Sequence, residues 1–334
     1  MDQNGSVGGG GSARVAAVTG ATGFVGGYVV RAFLDRGWRV RALARTPEKA
    51  APLAELDGVD VVYGDVRDEG VLVELARGAS AFAHLVGIIR ETRGQRFQAL
   101  HVEATRRVLS ACRAAGVGRY LHMSALGVDD EGRCPYQRTK FEAEMSVRES
   151  GLAWTIFRPS LIHGRGGELT HQIASWSRGS IPPYIGLPYF RRPEVEQSVP
   201  LGGSDYKDPL VQPVYVGDVA AYFAEAPDRP QTIGEVFNLV GPEVLSWPEL
   251  LRFAHERVPG AKAGLKPMWV PAEYAAFGAT VASLIGLGQL LPFDAGMATM
   301  GAEDSVADPE RTEAYFDTRA RAFTEAFGTY AASL

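Results

Sequence analysis

The chain has 334 residues, 46% of them hydrophobic and 22% charged, with 34 Lys and Arg against 39 Asp and Glu and a formal net charge of −5. That length allows one large domain or two smaller ones around a sizeable core, and the absence of a basic block argues against nucleic-acid binding. Two cysteines, Cys112 and Cys134, with no CxxC pair argue against a disulfide scaffold, and six histidines with neither HExxH nor HxxxH spacing argue against a zinc site.

Residues 1–13, MDQNGSVGGGGSA, are rich in Gly and Ser and have no apolar stretch. They read as a disordered tail rather than a signal peptide, which needs a basic start and an apolar run, so a cytoplasmic protein is expected.

From residue 14 the pattern alternates. Strand-like runs are RVAAVTG (14–20), RVRALAR (39–45), VDVVYGD (59–65), SAFAHLVG (80–87), RYLHMSA (119–125) and AWTIFRPS (153–160). Helix-like runs lie between them at 24–36, 68–77, 95–115 and 137–150. The third carries Phe97, Leu100, Ala104, Val108 and Ala111 on one stripe and stops at Gly116. Strand and helix in alternation imply a Rossmann-like, doubly wound α/β fold with a parallel sheet covered on both faces.

The first strand runs into TGATGFVG, placing Gly20, Gly23 and Gly26 at GxxGxxG spacing before a helix. Such a turn lets the backbone approach a pyrophosphate, and the helix N-terminus offers it free N–H groups and a partial positive charge. Thr22, Phe24 and Val25, inside and just after the turn, are further candidates for contact with a dinucleotide. The second strand ends at Arg45, followed by Thr46 and Lys49, where an NAD enzyme carries an acid. A guanidinium there suits the 2′-phosphate of NADP(H), which is favoured over NAD(H); the bland alternative is a solvated loop arginine. At the next strand ends, Asp65 could accept from the adenine amino group with Val66 against the ring, and Val86 and Gly87 would lie along a cofactor ribose.

Residues 178–213 are rich in Pro, Gly and aromatics and break the rhythm. A strand (PVYV), a helix from Asp218, a strand (EVFNLVG), a helix after Ser246 and a helical tail follow. The division expected is a tail at 1–13, a dinucleotide-binding domain at 14–165, and a smaller C-terminal substrate or partner region at 166–334 interleaved with the last strands. Residues 274–293, YAAFGATVASLIGLGQLLPF, contain no charge, but three glycines, a Gln and a Pro make them only modestly hydrophobic. They read first as a buried or partner-facing helix, then as a peripheral contact with a membrane, and last as a membrane span.

The ordered set TGATGFVG, GDV, HLVG, SA, YxxxK and RPSLIHG resembles the short-chain dehydrogenase/reductase superfamily, its extended and atypical branches above all. HMSALGVD, RTKFEAE, WTIFRPS, QPVYVGDVA and FNLVGPEVLS are similar to the group that contains the NADPH-binding accessory subunit of mitochondrial complex I and its bacterial relatives. The resemblance covers roughly residues 14 to 328 and implies roles for single residues. Tyr136 would exchange a proton with substrate while hydride passes to or from the nicotinamide. Lys140 would hold the nicotinamide ribose and lower the Tyr136 pKa, and Ser124 would steady a substrate oxygen. Pro159 and Ser160 would lie near the nicotinamide amide. A four-residue step does put Tyr136 and Lys140 on one helix face.

Where extended members carry Asn-Val-x-Gly-Thr, this chain reads HVEAT, with His101 at the position of the relay Asn. His101 is either a proton relay itself or a packed ring. The reading favoured is an NADP(H)-dependent oxidoreductase acting on a carbonyl or alcohol of an apolar molecule, with residues 178–213 as much of the substrate wall. The alternatives are a non-catalytic NADPH-binding subunit, favoured by the complex I resemblance, and an NAD-dependent sugar-nucleotide epimerase, disfavoured by Arg45. A serine hydrolase is disfavoured because no GxSxG occurs.

Overall fold

The computed structural model describes residues 14–194, 205–284, 286 and 291–334; the expected tail at 1–13 and part of the 178–213 segment lie outside the described residues. Seven strands form the main sheet: β1 (Val15–Thr19), β2 (Arg39–Ala44), β3 (Val59–Tyr63), β4 (Ala81–His84), β5 (Arg119–Met123), β6 (Trp154–Pro159) and β7 (Glu235–Leu239). Their spatial order is β7-β6-β5-β4-β1-β2-β3, and every neighbouring pair is parallel. The chain works outward from β1 in one direction and then from β4 in the other. The crevice at the carboxyl ends of β1 and β4 is therefore the switch point where such sheets bind ligands.

The helices in chain order are α1 (Phe24–Asp35), α2 (Pro47–Ala54), α3 (Glu69–Ala76), α4 (Ala104–Ala115), α5 (Pro135–Arg148), α6 (Glu168–Ser177), α7 (Val216–Glu225), α8 (Trp247–His255), α9 (Ala272–Leu284), α10 (Ala295–Met300), α11 (Glu310–Tyr315) and α12 (Phe323–Tyr330). Strand alternation sends side chains to two separate cores. Ala16 and Val18 of β1 join Val29, Val30 and Phe33 of α1 and Val219 and Phe223 of α7. Ala17 joins Leu72 and Leu75 of α3 and Val108 and Cys112 of α4 on the other face. A third core gathers Ile173, Trp176, Leu250, Leu251, Phe323 and Phe327 from α6, α8 and α12.

The expected strands and helices match these elements within one to three residues, with two local differences. Helix α2 was not foreseen: Thr46 caps it and Pro47 opens it, but Pro52 inside it hides the helical pattern. The 95–115 run is not one regular helix. Residues Gln98–Glu103 form a π-helical turn ahead of α4, and His101 sits within it.

Candidate active site

The turn after β1 is shaped by two glycines. Gly20 has φ +73°, and a Cβ there would lie 3.0 Å from the Leu85 carbonyl carbon at the end of β4. A Cβ on Gly26 would lie 2.0 Å from the Gly20 oxygen, so only glycine lets α1 start this close to the strand end. The first turn of α1 has no side-chain cap at Gly23, which leaves its amides for a ligand. These are the features a dinucleotide pyrophosphate requires, and the turn fits it. Gly26→Ala is expected to displace α1 and abolish dinucleotide binding, checked by fluorescence titration with NADPH; unchanged affinity would contradict this reading of the turn.

A cavity of about 640 Å³ opens from this turn along the strand ends. It is lined by Gly20, Gly23, Phe24, Val25 and Gly26, by Gly87 after β4, by Ser124 after β5, by Tyr136 and Lys140 of α5, and by Pro159 and Ser160 at the end of β6. Eleven of the proposed site residues, from five separate stretches of sequence, thus face one space. The others lie around it. Thr22 and Lys49 line a smaller neighbouring pocket of about 220 Å³, together with Arg31 and Arg165. Arg45 is exposed at the end of β2. Asp65 already accepts from the Arg67 side chain (2.7 and 3.1 Å) and amide (3.0 Å), and this pairing holds its carboxyl below the usual range. Val66 is buried and Val86 packs against the core.

Helix α5 starts at Pro135 after a Cys134–Gln137 capping box, which sets the rotation of its first turn. Tyr136 is half-buried, its ring edge-on to Phe97 and His101 at centroid distances of 5.9 and 5.5 Å. Burial raises its phenol to about 12. One turn on, the buried Lys140 donates from Nζ to the Met123 carbonyl (2.5 Å), and burial lowers its ammonium to about 8. Glu144, a further turn on, opposes that shift and is itself held by Arg158 of β6 through two hydrogen bonds of 2.7 and 2.6 Å. The Glu144–Arg158 pair thereby fastens α5 to the sheet.

Ser124 is buried, and among the described residues its hydroxyl has no partner although it lines the cavity. Ser160 donates its hydroxyl to the Gln212 carbonyl. A Cβ built on Gly87 would lie 3.7 Å from Lys140 Nζ and 3.8 Å from His101 Nε2, so both groups stand beside the β4 end.

His101 is buried, and burial together with the Lys140 charge lowers its pKa to about 3. Its Nδ1 meets Thr139 Oγ1 at 2.9 Å, and its Nε2 meets the Ile88 amide and carbonyl at 3.2 and 3.0 Å. A neutral ring with both nitrogens engaged by the protein ties α5 to the 87–88 backbone.

Sequence reasoning missed Ile88, Ile89, Arg90, Leu169, Pro292 and Met297, which also line the cavity. It also missed a second cavity of about 570 Å³ that shares Tyr136, Ile89 and Arg90 with the first. The second is walled by residues 89–97, the end of α9 and residues 293–300. No described residue of 178–213 lines either cavity, and residues 195–204 of that run lie outside the described residues. Nor is α9 a buried helix. It turns Ala272, Ala275 and Ala279 inward and leaves Tyr274, Phe277, Val281 and Leu284 exposed. Among the described residues no helix is long and apolar enough to cross a membrane.

Residues 20–180 match a family model described as NAD(P)H-binding. The chain is 36% identical over 152 residues to a ceramide reductase of Caulobacter vibrioides, a match covering 46% of this chain and 47% of that protein. It is 29% identical over 235 residues to the mitochondrial NADH dehydrogenase [ubiquinone] 1 alpha subcomplex subunit 9 of Rattus norvegicus, covering 69% of this chain and 58% of that one. The chain thus spans about half the length of the curated relatives it matches. A solved structure of similar fold is the NADPH-dependent quinone oxidoreductase QOR2 of Escherichia coli in complex with NADPH (TM-score 0.68, 20% identity, 94% of this chain and 99% of that one). The parallel seven-stranded sheet, the glycine turn at its switch point and the matched region at 20–180 together give the chain an NAD(P)H-binding, Rossmann-like fold, similar in sequence to the complex I subunit and to the reductase.

Proposed function

We propose that the protein is an NADP(H)-dependent oxidoreductase acting on a carbonyl or alcohol of an apolar small molecule. The observation that carries this reading is the single cavity joining the glycine turn to Ser124, Tyr136 and Lys140. When bound, the nicotinamide supplies or takes up a hydride at the substrate carbon. In the reductive direction Tyr136, protonated at neutral pH, donates its proton to the substrate oxygen. Lys140, buried one turn away, stabilises the phenolate left behind, and the unpartnered Ser124 hydroxyl donates to the same oxygen. The second cavity, with Ile89, Phe97, Ala279, Leu284, Phe293 and Met300 in its wall, gives an apolar substrate room beside Tyr136. The ceramide reductase relative supports a lipid-like substrate.

Preference for NADP(H) over NAD(H) is assigned to Arg45 and Lys49. Lys49 lines the small pocket that also holds Thr22 of the glycine turn, and the charge of Arg45 acts on Asp65 across the β2 and β3 ends. The double substitution Arg45→Ala/Lys49→Ala is expected to weaken NADPH binding by about tenfold or more, the worth of one or two charge-assisted hydrogen bonds, while leaving NADH unaffected. Equal losses for both coenzymes in a titration would overturn the assignment.

The second reading is an NADPH-binding subunit without turnover. It is favoured by the match to the complex I subunit, which covers more of this chain than the match to the reductase does. A screen of lipid and quinone carbonyls for NADPH oxidation separates the two: turnover supports the first reading, and tight NADPH binding with no turnover on any of them supports the second.

A further inference from the structure

Helix α9 reverses the usual order of a surface helix, with alanines inward and large apolar side chains outward. Tyr274, Phe277, Val281 and Leu284 are 61%, 70%, 40% and 82% exposed. At 100° per residue they fall within an arc of about 80°, so they form one stripe. The only charge on the helix is Glu273 in its first turn, where Tyr206 donates a hydrogen bond to it. Trp269, just before the helix, is 42% exposed and carries the Arg191 guanidinium over its ring at 5.0 Å.

The stripe does not stand alone. Leu284 also lines the second cavity, with Ala279, Thr280 and Ser283 of the same helix. Across that cavity lies the 89–97 segment, which brings the half-exposed Ile89 and three arginines, Arg90, Arg93 and Arg96. The two acids in the same wall are already engaged: Glu91 pairs with Arg96 at 3.0 Å and accepts from the Phe97 amide, and Asp294 caps α10. Arg93 is exposed and has no ion-pair or hydrogen-bond partner among the described residues, so its charge is uncompensated in a chain whose net charge is negative. An apolar stripe and a cationic segment therefore flank one opening that leads to Tyr136.

We infer that this face docks on a phospholipid surface containing anionic headgroups, with the α9 stripe in the acyl boundary and the 90–96 arginines at the phosphates. Trp269 and Tyr274 suit the headgroup level, where amphipathic rings concentrate. Anionic lipid supplies the counter-charge that Arg93 lacks among the described residues, and the acyl boundary takes an apolar helix face that water does not favour. The cavity opens between the two, so an apolar substrate passes from the bilayer to Tyr136 without crossing water. This route rests on the proposed oxidoreductase reading; the docking itself does not.

The test is flotation of the full chain with vesicles of phosphatidylcholine alone and of phosphatidylcholine mixed with phosphatidylglycerol, alongside NADPH titration and sedimentation velocity. The wild type is expected to float with both and more strongly with the anionic vesicles. Tyr274→Ser/Phe277→Ser, which touches neither cavity, is expected to lower partitioning by about tenfold or more while NADPH affinity stays unchanged. Arg93→Glu is expected to remove the preference for phosphatidylglycerol and leave binding to phosphatidylcholine. Wild type that stays with neither vesicle type, or substitutions that leave flotation unchanged, overturn the inference. A wild-type dimer that Tyr274→Ser/Phe277→Ser converts to monomer overturns it in favour of a self-association face. Failure of NADPH binding in a chain that floats counts against the oxidoreductase reading and not against docking.

Discussion

Tyr136→Phe is expected to lower turnover on any carbonyl substrate by about 10²–10⁴-fold, the range that a positioned general acid contributes, while NADPH binds as before. The substitution keeps the ring, so its edge-on contacts with Phe97 and His101 persist and α5 keeps its place. Only the proton donor is lost. The argument depends on Tyr136 standing where both cavities meet, with Lys140 one turn away. Single-turnover measurements of hydride transfer from prebound NADPH check it. Full-rate transfer in the variant would mean that another group, Ser124 or a bound water, protonates the substrate. Parallel loss of NADPH affinity would mean that Tyr136 serves the coenzyme and not the substrate.

Folding stability is expected to fall steeply as pH drops below about 6.5, the ordinary value for a histidine. His84, His101 and His163 are buried, and desolvation lowers each to about 3, with the Lys140 charge adding to the shift at His84 and His101 and Arg321 at His163. The sign follows from proton uptake. Between pH 6.5 and 3 the unfolded chain takes up protons at these rings and the folded chain does not, so stability is full above 6.5 and is lost on acidification. At pH 5.5 each ring costs about 1.4 kcal/mol, and the three together about 4 kcal/mol, a large part of the 5–15 kcal/mol typical of a domain. His122 is shifted in the same direction by burial, and neither of its ring nitrogens has a partner among the described residues. His122→Leu is therefore expected to leave stability at pH 7.5 unchanged or higher and to soften the acid loss. Urea unfolding of both proteins at pH 7.5 and 5.5 measures this. A wild-type stability that is flat across that interval would show the rings to be hydrated or paired with acids.

The sequence was most legible where local chemistry leaves little choice. TGATGFVG could be read because the close approach of Gly26 to the Gly20 carbonyl tolerates no side chain. Tyr136 and Lys140 could be read because a four-residue step on a helix fixes a shared face. Helix α2 was hidden because Pro52 normally argues against a helix interior, yet in so short a helix it interrupts little. The charge-free stretch at 274–293 revealed that something apolar was required but not which side of α9 would face outward. That depends on alanines packing beneath residues distant in sequence. The hydrogen-bond partners of His101 were equally out of reach, because Ile88 and Thr139 lie 13 and 38 residues away. The second cavity arises from four segments, 89–97, 134–136, 279–286 and 293–300, that meet only in the folded chain.

The central claim is that a dinucleotide lies from the glycine turn to the phenol of Tyr136. A crystal structure of the chain grown with NADP⁺ tests it most directly. The result expected is a diphosphate against the amides that open α1, with the nicotinamide between Ser124, Tyr136 and Pro159. Diphosphate density elsewhere, or a ring turned away from Tyr136, would contradict it.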